Sequence, residues 1–290
     1  MKRILVTGAH GQLGREIHAQ KEILQGTEFY FMDIDELDIT NGREVERTIS
    51  KIKPSYLVNC AAYTAVDKAE KDAENAYEVN ASAVENIVKA ARNVSGMKLL
   101  HISTDFVFDG KSRSPYYENA RPAAQSVYGK SKQKGEEYAL SYPLAMIIRT
   151  SWLYSEYGGN FVKTILRLAA ESDEINVVDD QTGTPTWAAD LASAVLDIVE
   201  QTINDDKKFI PGIYHYSNGG QCSWYEFASE IKRIKGLDIT INPVSTAEFP
   251  LPAKRPAYSV LGLDKIKNNY NIEIPSWQDS LENCLKRINQ

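Results

Sequence analysis

Apolar positions fall into two rhythms along this chain. One is a set of short continuous runs at residues 4–6, 28–32, 55–60, 98–103 and 144–152, with a shorter piece at 37–40. Runs of that kind suit strands buried on both faces of a parallel sheet. The other rhythm has helical spacing. It is carried by Leu13, Ile17 and Leu24, by residues 41–53, by Ala76, Val79, Ala83, Ile87 and Ala90 within 74–93, and by residues 129–141. Asn41 stands where an N-cap belongs, and Pro54 where that helix must stop. Counting 37–40, the run at 144–152 is the sixth strand. Alternating strand and helix predict an α/β fold, a doubly wound parallel sheet with right-handed crossovers.

Beyond residue 152 the rhythm changes. Elements shorten and are interrupted by Gly and Pro at 158–159, 183–185, 211–212, 250–256 and 275. Residues 1–152 therefore read as a nucleotide-binding domain of Rossmann type. Residues 153–290 read mainly as a smaller C-terminal substrate-binding lobe, with some later segments completing the sheet. Leu281, Leu285 and Ile288, behind Trp277 and Gln278, give the tail helical spacing. Residues 115–122, polar and bounded by two prolines, read as an exposed loop placed to act as a lid.

Composition narrows function more than fold. With 290 residues, 43% of them hydrophobic, the chain can build a large core. A net charge of −6 and a pI near 5.4 give no nucleic-acid surface. No apolar run approaches the ~20 residues of a membrane span. The first residues enter a strand without a charged and an apolar leader region, so neither membrane attachment nor a signal peptide is expected. Cys60, Cys222 and Cys284 are odd in number and far apart, which makes neither a disulfide framework nor a metal-ligand spacing. A reducing cytoplasm is the simplest setting. Four scattered histidines add no zinc pattern, and no metal is expected.

The chemistry begins at residues 3–14, RILVTGAHGQLG. A strand leads into Gly8, Gly11 and Gly14, three residues apart, and then into a helix. One glycine can take positive φ, another lets the backbone approach a pyrophosphate, and the last lets helix pack on strand. Free amides and the dipole at the helix start favour a phosphate there. The context points to a dinucleotide. Asp33, at the tip of the second strand, suits a ribose 2′-OH and repels a 2′-phosphate, which favours NADH. Asp38 and Ile39 are placed to reach the adenine edge. Ala61 and Ala62 permit close approach of a ligand, and Tyr63 and Thr64 supply hydroxyls.

Tyr128 and Lys132 lie four apart at the start of a helix, on one face. A lysine ammonium beside a phenol is expected to lower the phenol's pKa and make it a general acid or base. Taken alone, the pair reads more readily as a surface helix with a packed tyrosine and a solvated lysine. Ser103, Thr104 and Asp105 end a strand of the same sheet, at the carboxyl edge where open α/β sheets bind ligands. Thr104 is placed to hydrogen-bond a substrate oxygen.

In that order, TGAHGQLG, STD and YGKSK resemble the extended short-chain dehydrogenase/reductases. NCAAYTAVDKAE (59–70), STDFVFDG (103–110), YGKSKQKGE (128–136), RTSWLY (149–154), NFVKTILRLA (160–169), DQTGTPT (180–186) and PAKRPAYSVL (252–261) resemble one branch, the dTDP-4-dehydrorhamnose reductases, over essentially the whole length. The resemblance implies NADH or NADPH as cofactor and a nucleotide sugar as substrate. It places His10, Gly11 and Gln12 on the cofactor phosphates, next to Leu13 and Gly14. Asp33, Asp38 and Ile39 fall on the adenosine half, and Ala62, Tyr63 and Thr64 beside the cofactor. It makes Tyr128 the proton donor, with Lys132 on the nicotinamide ribose. Thr104, Asp105 and Trp152 would meet the sugar; Asn160, Lys163 and Arg255 would meet the diphosphate. Related dehydratases carry Thr-Asp-Glu at the strand end; Phe106 here removes the acid needed for elimination. An epimerase uses the same Tyr and Lys, and DQTGTPT favours the reductase. A binding protein, like the regulatory beta subunit of methionine adenosyltransferase, is the rival of another class; intact Tyr128, Lys132 and Thr104 favour catalysis. Some reductases of this family form Mg²⁺-bridged dimers through carboxylates, and Arg15 at one such position cannot ligate a cation. A homodimer stays open.

Overall fold

The structure is a computed structural model that describes residues 1–288; residues 289 and 290, the end of the expected C-terminal lobe, lie outside the described residues. The chain runs β1 (Lys2–Thr7), α1 (Gln12–Gln20), β2 (Thr27–Met32), α2 (Gly42–Ile52), β3 (Tyr56–Asn59), α3 (Val66–Ala69), α4 (Ala73–Tyr77), α5 (Ala83–Ala91), β4 (Lys98–Thr104), α6 (Val127–Leu140) and β5 (Ala145–Thr150). It continues through β6 (Leu153–Tyr154), α7 (Phe161–Glu171), β7 (Glu174–Val178), β8 (Thr182–Gly183), β9 (Thr186–Trp187), α8 (Ala188–Ile203) and β10 (Gly212–His215). Then come β11 (Cys222–Ser223), α9 (Trp224–Lys235), β12 (Thr240–Val244), α10 (Asp264–Tyr270) and α11 (Trp277–Ile288).

Six parallel strands form the main sheet in the order β10-β5-β4-β3-β1-β2. Alternation along each strand fills both faces. Ile4, Val6, Tyr56, Val58, Leu100, Met146 and Ile148 pack into a core with α1, α8 and α10. Leu5, Leu57, Leu99, Ala145 and Ile147 pack into the opposite core with α2, α5 and α6. The sheet is thus doubly wound, and α8 and β10, from beyond residue 152, complete it. A separate apolar cluster joins α7, α9 and α11 through Ile165, Phe227, Ile231, Trp277, Leu281 and Leu285.

Several local expectations need correction. Residues 37–40 form an irregular segment that ends in a turn, not a strand. The Asp38 carboxylate accepts the Thr40 N–H at 2.9 Å and its hydroxyl at 2.7 Å, and Asn86 Nδ2 donates to the carbonyls of Ile39 and Thr40. These side-chain bonds satisfy groups a ladder would need. The run at 144–152 is therefore the fifth strand; it ends at Thr150, before Trp152 with a positive φ of 46°. The sixth sheet strand is β10. The helix at 74–93 is interrupted by a π-helical turn over Glu78–Ser82. Residues 115–122 are no free lid. Tyr116 is buried, stacks on Phe108 with ring centroids 4.2 Å apart, and bonds through its backbone to Val260 and Gly262. Asn41 caps α2 as expected, accepting the Glu44 N–H.

Candidate active site

A cleft of about 830 Å³ runs along the carboxyl ends of the sheet strands. It opens where β1 separates β2 from β3, because successive strands are added on opposite sides of β1 there.

The glycine turn forms its floor. Gly8 has φ +66°, and a Cβ on it would stand 2.6 Å from the Ala61 nitrogen. A Cβ on Gly14 would stand 2.4 Å from the Gly8 carbonyl oxygen, so α1 sits directly on the end of β1. Gly11 opens α1 without a side-chain cap. The first amides of the helix remain for an anion, which is the fit a dinucleotide pyrophosphate requires. Gln12 and Leu13 line the same floor.

Asp33, Asp38 and Ile39 border the far end of the cleft, and Ala61, Ala62, Tyr63 and Thr64 its side. Asp33 is held on both oxygens: Oδ2 accepts the His10 N–H at 2.7 Å and Oδ1 the Ile34 N–H at 2.9 Å. His10 itself is exposed and outside the lining, so the turn uses its amide to hold Asp33.

Tyr128 and Lys132 enter from the first turns of α6, which Ser126 caps by accepting the Gly129 N–H at 3.1 Å. Both side chains are buried and line the cleft with Thr104 and Asp105. The expected lowering of the phenol's pKa does not appear. Burial pushes Tyr128 up to about 12, with the Thr104 hydroxyl pulling down and Asp105 adding to the rise. Lys132 turns its ammonium to the Ile102 carbonyl, 2.6 Å away. Burial brings Lys132 down to about 8, against the charge of Glu136 one turn on. The phenol therefore keeps its proton at neutral pH, the form that donates rather than abstracts. Phe106 meets the Tyr128 ring edge-on at 5.5 Å.

Thr104 Oγ1 donates to Asp105 Oδ1 at 3.1 Å and accepts the Phe106 N–H at 3.2 Å. Asp105 is 1% exposed, and burial raises its carboxyl to about 6. The Ser259 hydroxyl works against that rise, and Asp105 Oδ2 and Ser259 Oγ are both buried without a hydrogen-bond partner.

The remaining expected residues divide. Trp152 lines the cleft, but its indole stacks on Trp224, centroids 3.5 Å apart. Arg255 also lines it, held bidentately by Asp67 at 2.9 and 2.6 Å, which keeps the Asp67 carboxyl below its usual range. Asn160 and Lys163 lie outside the lining. Asn160 caps α7 and donates to Gln12 Oε1 and the Ser155 carbonyl, so it braces the 155–160 loop. Trp224 was not anticipated; nothing near it in sequence marks it. Asn80, buried beside Tyr63, was also missed; it is one of several polar residues in its helical stretch, and nothing in the sequence sets it apart. Among the described residues, no group of three or more His, Cys, Asp or Glu is placed to hold a metal ion, and no helix is long and apolar enough to cross a membrane.

A doubly wound sheet in which a glycine turn, a strand-end threonine and a Tyr-x-x-x-Lys helix share one cleft defines the class: the extended short-chain dehydrogenase/reductases. More narrowly, the chain belongs to the RmlD substrate binding domain family, whose model matches residues 1–290. It is similar to the dTDP-4-dehydrorhamnose reductase of Aggregatibacter actinomycetemcomitans, 42% identical over 293 residues and covering 98% of each chain. Its structure resembles that of a dTDP-4-dehydrorhamnose reductase from Clostridium acetobutylicum, with a TM-score of 0.92, 42% identity, and coverage of 99% of this chain and 100% of the other. It also resembles that of dTDP-4-dehydrorhamnose reductase from Bacillus anthracis in complex with NADP, with a TM-score of 0.91, 41% identity and the same coverage.

Proposed function

We propose that this chain is a cytoplasmic NAD(P)H-dependent oxidoreductase. It reduces the C4 keto group of dTDP-4-dehydro-6-deoxy-L-mannose (dTDP-4-dehydrorhamnose) to give dTDP-L-rhamnose. One observation carries the reading: Tyr128 stands with Thr104 and Lys132 in the same cleft as a glycine turn built for a pyrophosphate. The likeness to reductases of that name over nearly the full chain supports the choice of substrate.

The bound reduced nicotinamide supplies the hydride that C4 receives. Tyr128 gives its phenolic proton to the oxygen that gains charge, and Thr104 donates a hydrogen bond to the same oxygen. Lys132 holds the nicotinamide ribose and keeps positive charge beside the phenolate that Tyr128 becomes. Gly11, Gln12 and Leu13 present backbone to the pyrophosphate, Asp33 takes the ribose hydroxyls, and Ala62 to Thr64 flank the dinucleotide. Asp105 and Trp152 meet the sugar. Lys163, whose ammonium has no hydrogen bond or ion pair among the described residues, and Arg255 supply cations for the diphosphate. Residues 1–152 with α8 and β10 form the cofactor half, and the rest of 153–290 the substrate lobe.

Incubation with NADH and dTDP-4-dehydrorhamnose, followed by nicotinamide absorbance and sugar NMR, tests this. One NADH consumed per dTDP-L-rhamnose formed is expected. A sugar epimerised without net NADH oxidation, or no conversion at all, rejects it.

A further inference from the structure

We propose that Glu136 is a positioning residue: held by Arg149 and Ser103, it fixes the face of α6 that carries Tyr128 and Lys132 against the ends of β4 and β5, and it supplies the negative charge that the buried Lys132 ammonium faces. The inference rests on the reading above, in which Lys132 holds the nicotinamide ribose in its charged form.

Tyr128, Lys132 and Glu136 follow one another at intervals of four and share one face of α6. Below that face, Ser103 of β4 and Arg149 of β5 are direct register partners. Glu136 bonds to both. Its Oε1 accepts the Ser103 hydroxyl at 2.6 Å and Arg149 Nε at 2.8 Å, and its Oε2 accepts Arg149 Nη2 at 2.6 Å. The next register pair along the strands, Thr104 and Thr150, lines the cleft. The carboxylate therefore grips both strands one residue short of the reacting end. The helix lies close against the same edge: a Cβ on Gly129 would stand 2.3 Å from the Phe106 carbonyl oxygen.

Stability alone does not explain the cluster. Glu136, Arg149 and Ser103 are all buried, and β5 from Ala145 to Ile148 is apolar. A buried ion pair is commonly worth no more than well-packed apolar residues in its place. The guanidinium is also held by its surroundings, with Cζ 5.0 Å from the Phe108 ring centroid and Nη1 3.5 Å from His215 Nε2. Burial and that guanidinium push His215 down to about 3, so the ring is neutral; Glu118 faces Arg149 from further off. Around Lys132 stand Glu136 on its own helix, Cys60 after β3 and His101 on β4. Burial pushes the Cys60 thiol up to about 12 and holds His101 well below its ordinary range, so both are neutral at pH 7. Of the three, Glu136 is the charge. It works against the burial that brings Lys132 down to about 8.

Three variants separate this from a purely structural role. NADH Kd is measured against pH by nicotinamide fluorescence, which needs no sugar, and Tm is measured alongside. In wild type, Kd is expected to rise above about pH 8, as the ammonium is lost. Glu136→Gln removes the charge and leaves Arg149 uncompensated, so this limb moves down by about one pH unit or more and Tm falls. Glu136→Gln combined with Arg149→Met makes the pair neutral: Tm recovers relative to Glu136→Gln, and the limb stays low. Glu136→Asp keeps the charge with a shorter reach, so Tm falls while the limb lies within about half a unit of wild type. The limb thus follows charge, and Tm follows packing. A limb unmoved in Glu136→Gln or in the neutral pair, a limb as low in Glu136→Asp as in Glu136→Gln, or a wild-type Kd flat across this range overturns the proposal. Should Glu136→Gln not fold, the neutral pair and Glu136→Asp decide by the same limb. Wild-type protein that shows the limb in NADH binding without reducing the sugar refutes the substrate assignment, and the limb still judges Glu136.

Discussion

Lys132 on α6 donates its ammonium to the Ile102 carbonyl of β4, 2.6 Å away, across the helix–sheet interface. Burial brings that ammonium down to about 8. It is charged below this pH and neutral above, and the proposed mechanism uses the charged form. We predict that kcat/KM for NADH falls as pH rises through about 8, while Tyr128, pushed up to about 12, stays protonated across the same range. Lys132→Arg, whose guanidinium does not titrate there, moves the alkaline limb upward at a lower plateau. A wild-type profile flat through that limb removes Lys132 from the mechanism.

Asp33 bears on cofactor choice. Both of its oxygens accept backbone amides, which places the carboxylate at the tip of β2, where a 2′-phosphate would meet its charge. KM for NADH should be lower than KM for NADPH by about tenfold, the order expected for one nearby like charge. Asp33→Ser narrows that ratio. Equal KM values in the wild type contradict the assignment of Asp33.

Asp105 carries a stability signature. Its folded pKa, about 6, lies above the ordinary carboxylate value, so the buried charge destabilises the fold above pH 6 and the effect fades as pH falls toward 4. Asp105→Asn is therefore expected to raise Tm at pH 8, by the equivalent of about 2–3 kcal/mol at most, with a smaller gain at pH 5. The same variant is expected to lose activity toward the sugar. Differential scanning calorimetry at the two pH values checks the sign, which a gain confined to low pH would reverse.

Arg255 and Asp67 form a clasp between the loop at 253–255 and α3. If the guanidinium also serves the substrate diphosphate, Arg255→Ala raises KM for the nucleotide sugar about tenfold with little change in kcat. A drop in Tm with KM unchanged would confine Arg255 to bracing the loop.

Much of this fold was legible because its signals are local. Continuous apolar runs marked β1, β3, β4 and β5, and three glycines at fixed spacing marked the turn that Gly8 and Gly14 make obligatory. Sites set by distant pairing were not legible. Residues 37–40 have strand-like composition, yet Asp38 and, from 47 positions away, Asn86 satisfy their backbone without a ladder. Asp67 reaches Arg255 from 188 positions away, and Trp224 reaches Trp152 through a lobe whose assembly leaves no periodic trace. The ionisation of Tyr128 was misjudged for the same reason: four-residue spacing brings Lys132 near, while burial, a property of the whole fold, sets the direction.

The most direct test is the rate of NADH oxidation with dTDP-4-dehydrorhamnose in wild type and in Tyr128→Phe. The variant keeps the ring, its contact with Phe106 and the surrounding burial, and loses only the proton to be given. The account predicts wild-type turnover and a fall in kcat of about 10²-fold or more in the variant, with NADH binding retained. Equal kcat in the two proteins would contradict it.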